Sequence, residues 1–107
     1  MFDTDQFEPK KFADKAANAA RLMRSLSNEK RLMILCRLAA GERSVGDLGA
    51  EIDLSQSALS QHLALLREQG LVKTRREGQS IYYSIDDPAA VEVIRTLVSI
   101  YCPEMMT

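Results

Sequence analysis

The change of hydrophobic period at Gly70 is the strongest constraint on what this chain can fold into. Before it, LSQSALSQHLALLREQG places Leu59, Leu63 and Leu66 four and three residues apart, with Ala58 and Leu65 beside them. That spacing predicts a helix with one buried stripe. After it, Val72, Thr74 and Arg76 alternate with Lys73 and Arg75, and Ile81, Tyr83 and Ile85 alternate with Tyr82 and Ser84. Two alternating runs around an EGQS turn predict a β-hairpin.

The polar face of the same helix is unusual. It carries Gln56, Ser57, Ser60, Gln61, Ala64 and Arg67, with no acid until Glu68. A merely solvated face usually mixes Glu with Lys. Serine, glutamine and arginine can hydrogen-bond while allowing close approach to a surface.

The rest of the chain supplies the scaffold. KKFADKAANAARLMRSL predicts a helix with Phe12, Ala16, Ala19, Ala20 and Met23 on one side. Ser27 is the expected N-cap of the next helix, with Glu29 at its positive end and Gly41 as its stop. Ser44 and Asp47 resemble a capping box, and Ser55 is placed to cap the serine- and glutamine-rich helix. After the hairpin, Asp86 or Asp87 can cap a last helix that has Pro88 in its first turn. Its apolar stripe is Val91, Ile94, Leu97, Val98 and Tyr101. The expected architecture is mainly α with a β-hairpin wing, a winged helix-turn-helix. The expected divisions are an arm at residues 1–9, a DNA-binding and dimerisation domain at 10–102 and a tail at 103–107.

Such a fold turns the polar helix face into a reading surface. A helix fits the major groove, about 12 Å wide, where small polar groups reach base edges and phosphates. Lys73, Arg75 and Arg76 give the wing positive charge for the DNA backbone. The net charge of −1 over 107 residues rules out binding by bulk charge but not by a local patch. It also leaves open a winged-helix protein-interaction module that does not bind DNA. No apolar run approaches the roughly 18 residues of a membrane span, and MFDTDQFEPKKF lacks the layout of a signal peptide. A cytoplasmic protein is expected, in which the two cysteines are not a static structural disulfide.

LSNEKRLMIL, the long segment from SVGDLGAEI through SQSALSQHLALLREQGLV to IYYSI, and VEVIRTLVSIYC resemble the ArsR/SmtB family of winged-helix repressors. The likeness covers about residues 15–102. It implies a homodimer on two-fold double-stranded operator DNA, with the first and last helices at the dimer interface. It also implies that Ser57, Ser60, Gln61 and His62 lie at or near DNA, and that an effector changes affinity. The metal sites common in the family are missing. Ser44 and Gly46 stand where one site has thiolates, and the last helix has Glu92 but no histidine. His62, the one histidine, has no second histidine to pair with and reads as a packing or phosphate-contacting residue. No metal and no cofactor are therefore expected.

Cys36 in LMILCRL and Cys102 in SIYCP are the two thiols. Each could be a buried space-filler, although Cys102, beside Pro103 at a helix end, is placed for exposure. Their contexts resemble those of the polysulfide- and redox-responsive BigR/SqrR/HlyU subgroup. That resemblance implies persulfide or oxidant sensing by a Cys36–Cys102 disulfide or polysulfide crosslink that releases DNA. The attacking thiolate is open between the two, with Arg31 and Arg37 near Cys36 in sequence. A thiol oxidoreductase is the weaker alternative, since there is no CxxC and no Cys, His and Asp grouping.

Overall fold

The computed structural model describes residues 8–106. Most of the expected arm, residues 1–7, lies outside the described residues. Helix α1 spans Pro9–Leu26, α2 Glu29–Ala39, α3 Val45–Glu51, α4 Gln56–Glu68 and α5 Pro88–Tyr101. Strands β1 (Arg43–Ser44), β2 (Val72–Glu77) and β3 (Ser80–Ile85) form one antiparallel sheet in the order β1-β3-β2. A 3-10 turn, Pro103–Met105, follows α5. The architecture is the winged helix-turn-helix that the period change predicts.

Local chemistry sets the boundaries. Asn28, not Ser27, caps α2: its side-chain oxygen accepts from the backbone N–H groups of Lys30 and Arg31, both at 3.0 Å. Asparagine reaches two of the helix's unpaired donors from this position. Ser27 instead closes α1, with its Oγ donating to the Arg24 carbonyl at 2.8 Å. The other caps fall where expected, with Ser44 accepting from Asp47, Ser55 from Ala58 and Asp87 from Ala89. Helix α4 ends in a Schellman motif. The N–H of Gly70 bonds to the Arg67 carbonyl and that of Leu71 to the Leu66 carbonyl, while Gly70 takes φ +75°.

Strand β1 is an addition that the sequence does not announce. Arg43 pairs with Tyr83 and Ser44 with Tyr82, which makes β3 the central strand. Two residues are too few to display alternation, and Ser44 doubles as the cap of α3. The hairpin register runs from Val72 opposite Ile85 to Glu77 opposite Ser80, around Gly78 at φ +62°. Glycine at that corner supplies the positive φ of a tight hairpin turn.

The core joins every α-helix to the sheet. Leu26, Ile34, Leu35, Leu38, Leu48, Leu59, Leu63, Leu66, Val72 and Ile94 are all buried. Leu59, Leu63 and Leu66 are the predicted stripe, and each leucine buried this way stabilises the fold by about 1.5–3 kcal/mol. On α1, in contrast, the predicted apolar side lies largely in the open. Ala16 and Ala20 are half-buried, whereas Phe12, Ala19 and Met23 are exposed. The stripe of α5 splits as well, with Ile94 buried and Tyr101 78% exposed.

Candidate functional site

Helix α4 presents its polar face outward. Gln56, Ser57, Ser60, Gln61, Ala64 and Arg67 are exposed along one side, opposite the buried leucines. Ser55 anchors the start, accepting from the Ala58 N–H at 3.1 Å and lying 3.4 Å from the Ser57 hydroxyl. His62 is half-buried between the two faces. A cleft of about 600 Å³ separates α4 from the wing, with Ser60, Ala64 and Arg67 on one wall and Ile81 and Tyr83 on the other.

The three wing cations have different surroundings. Arg76 is exposed and has no ion-pair partner among the described residues. Lys73 lies 3.8 Å from Asp86. Arg75 is engaged by two carboxylates: Nη2 donates to Glu42 at 2.7 Å and Nη1 to Glu77 at 2.6 Å. These bonds hold Arg75 more firmly protonated than usual, and the hydrogen bond from Arg75 holds Glu42 below the usual carboxylate range. Glu77, read in sequence as part of the EGQS turn, is the last residue of β2 and lies two residues from Arg75 on the same strand face. Glu42 was not legible in the sequence, because it is 33 residues away and reaches Arg75 only through the fold.

Away from these residues, the two thiols meet at one cavity. Cys36 in α2 and Cys102 just past α5 line one cavity of about 600 Å³. Its remaining walls are mostly apolar, including Leu32, Met33, Ile52, Leu97 and Val98. Both cysteines are half-buried and free. Burial, and then the nearby Cys102, push the Cys36 thiol above its ordinary range.

Arg37 and Glu51 stand in the same cavity wall, where Arg37 Nη2 donates to Glu51 Oε1 at 3.0 Å and Nε bonds the second oxygen. Arg31 turns elsewhere and donates from Nε to the Ser25 carbonyl at 2.9 Å. A further link escaped sequence reasoning: buried Ser25 in α1 hydrogen-bonds Gln69 at the end of α4. No periodicity connects residues 44 apart in the chain.

This geometry has close counterparts. Residues 28–74 match the profile of bacterial regulatory proteins of the arsR family. The transcriptional activator HlyU of Vibrio cholerae is 47% identical over 87 residues, spanning 81% of this chain and 81% of HlyU. The chain belongs to the ArsR family. A second ArsR-type relative, the biofilm growth-associated repressor of Agrobacterium fabrum, is 44% identical over 82% of this chain and 75% of its own length. The solved structure of reduced HlyU from Vibrio cholerae superposes with a TM-score of 0.84 at 44% identity, covering 87% of this chain and 98% of that one. As an ArsR-family member the chain is a DNA-binding transcriptional regulator and not an enzyme. No helix among its described residues is long and apolar enough to cross a membrane.

Proposed function

We propose that this regulator is a homodimeric repressor whose operator affinity is switched by reactive sulfur species or oxidants through a Cys36–Cys102 crosslink. One observation carries the reading: the only two cysteines in the sequence, 66 positions apart, line one largely apolar cavity. The similarity to HlyU, known in a reduced form, supports a state set by thiol oxidation.

The chemistry balances with a persulfide RSSH as oxidant. One cysteine thiolate attacks its outer sulfur, releasing the thiolate RS⁻ and leaving Cys–S–SH. The second thiolate attacks the inner sulfur, forming Cys36–S–S–Cys102 and releasing hydrosulfide. Two thiols are oxidised and one sulfane sulfur is reduced. A longer bridge retains additional sulfur from further persulfide, and the cavity offers room for it.

DNA contact is assigned to Gln56, Ser57, Ser60, Gln61, His62 and Arg67 on α4 and to Lys73, Arg75 and Arg76 on the wing. Dimerisation is assigned to α1 and α5, whose exposed Met23, Ile100 and Tyr101 form apolar surface that a second copy can bury. A crosslink would tie the end of α5 to α2, next to that interface, and change the spacing of the two α4 helices. Half-sites lie about 34 Å apart, so a shifted spacing weakens reading of both. Coupling of this type is worth about 1–3 kcal/mol.

The test is operator binding by reduced and persulfide-treated protein, with the crosslink followed by mass. Cys36→Ser and Cys102→Ser should each bind when reduced and fail to release DNA when treated. Normal release by the double variant would end the thiol-switch reading.

A further inference from the structure

The wing that reads as basic in sequence is faced by carboxylates in the fold. Arg75 lies opposite Tyr82 in the β2–β3 register, with its guanidinium carbon 4.7 Å from the ring centroid. Its Nη2 and Nε donate to the two carboxylate oxygens of Glu42 at 2.7 and 3.3 Å, and Nη1 donates to Glu77 at 2.6 Å. A guanidinium meets carboxylate and phosphate with the same two-pronged geometry. Glu42 therefore occupies the edge of Arg75 that a DNA phosphate would use, and Glu77 holds the neighbouring nitrogen. Around Arg75 two carboxylates face its single positive charge, and Lys73 is near enough to attract Glu42 as well, so Arg75 offers a phosphate less free positive charge than its sequence suggests.

We propose that Glu42 and Glu77 are affinity-setting residues of the DNA interface: they occupy Arg75 as phosphate would, so Arg75 joins the DNA contact only when it gives up Glu42. Stacking on Tyr82 keeps the guanidinium at the wing surface during the exchange. Arg76, with no ion-pair partner among the described residues, contacts the backbone without such an exchange. This inference rests on the proposed contact between wing and DNA backbone.

The probe is a fluorescently labelled DNA duplex of arbitrary sequence, because phosphate contacts are sequence-independent. Affinity is measured across a salt series for Glu42→Gln, Glu77→Gln, the double variant, Arg75→Gln alone and in the double background, and Arg76→Gln. Thermal melting is recorded for each. Where Glu42→Gln melts early, Glu77→Gln at the exposed end of β2 carries the test. Removing the carboxylates should tighten binding and steepen the log–log salt slope by about 1. Arg75→Gln alone should flatten the slope by less than about 1, because Glu42 competes for Arg75 in the wild type, and in the double background it should cancel the steepening. A gain that persists without Arg75 reflects general charge and overturns the inference. Weaker binding by a normally melting Glu42→Gln also overturns it, since the pair would then brace the wing. Arg76→Gln separates the levels. A slope reduced by about 1 there, with no response from the glutamate variants, overturns the exchange but keeps the wing on DNA. An unchanged Arg76→Gln slope overturns the wing contact and the exchange together.

Discussion

Arg37 Nη2 donates to Glu51 Oε1 at 3.0 Å, joining α2 to the last residue of α3 in the wall of the cavity that holds Cys36 and Cys102. The neighbour of one thiol thus grips the first helix of the helix-turn-helix. The hydrogen bond from Arg37 holds Glu51 below the usual carboxylate range, against a smaller opposing effect of desolvation and with added attraction from the Arg37 charge. A carboxylate with a lowered folded pKa stabilises fully above its unfolded value and loses that contribution as pH falls through the folded value. The melting difference between wild type and Glu51→Gln should therefore be present at neutral pH and vanish in acid. Carbon NMR titration should find the Glu51 midpoint higher in Arg37→Met than in wild type. A midpoint indifferent to Arg37 would refute the pairing.

Asn28 and Ser27 make a sharp contrast at the α1–α2 corner. Asn28→Ala removes the acceptor for two backbone donors and should cost about 0.5–2 kcal/mol in urea denaturation. Ser27→Ala removes one exposed hydroxyl that donates to a carbonyl, and should cost less. The reverse order would show that Ser27 starts the helix after all.

Gln61 is exposed on α4, away from the Leu59, Leu63 and Leu66 stripe. If it reads a base edge, Gln61→Ala should weaken specific binding by about 1–3 kcal/mol while leaving the salt slope intact. Titration of a labelled operator checks this, and equal affinity in a folded variant removes Gln61 from the reading set.

Cys36 has a thiol pushed up first by burial and then by Cys102. Thiolate is the reactive form, so Cys36 should be alkylated slowly by iodoacetamide at neutral pH and faster only above the pH at which an ordinary thiol ionises. Cys102→Ser removes the second cause and leaves the first, so the midpoint should fall without returning to the ordinary value. Mass-resolved alkylation rates against pH provide the measurement; an ordinary midpoint in wild type contradicts the shielding.

The period change at Gly70 determined the helix-to-hairpin order by itself, because a buried stripe repeats every 3.6 residues on a helix and every second residue on a strand. The same local periodicity separated the leucine stripe of α4 from its serine and glutamine face, and short-range capping chemistry marked Ser44 and Ser55. Spacing could not establish that Cys36 and Cys102 share a cavity, since residues 66 positions apart meet only when α2 and α5 pack together. Nor could it find Glu42 beside Arg75, or Arg37 beside Glu51. Those pairs join separate elements, and only the packing of those elements brings the charges within hydrogen-bond reach. Local sequence decides which face a residue occupies; tertiary structure decides what that face meets.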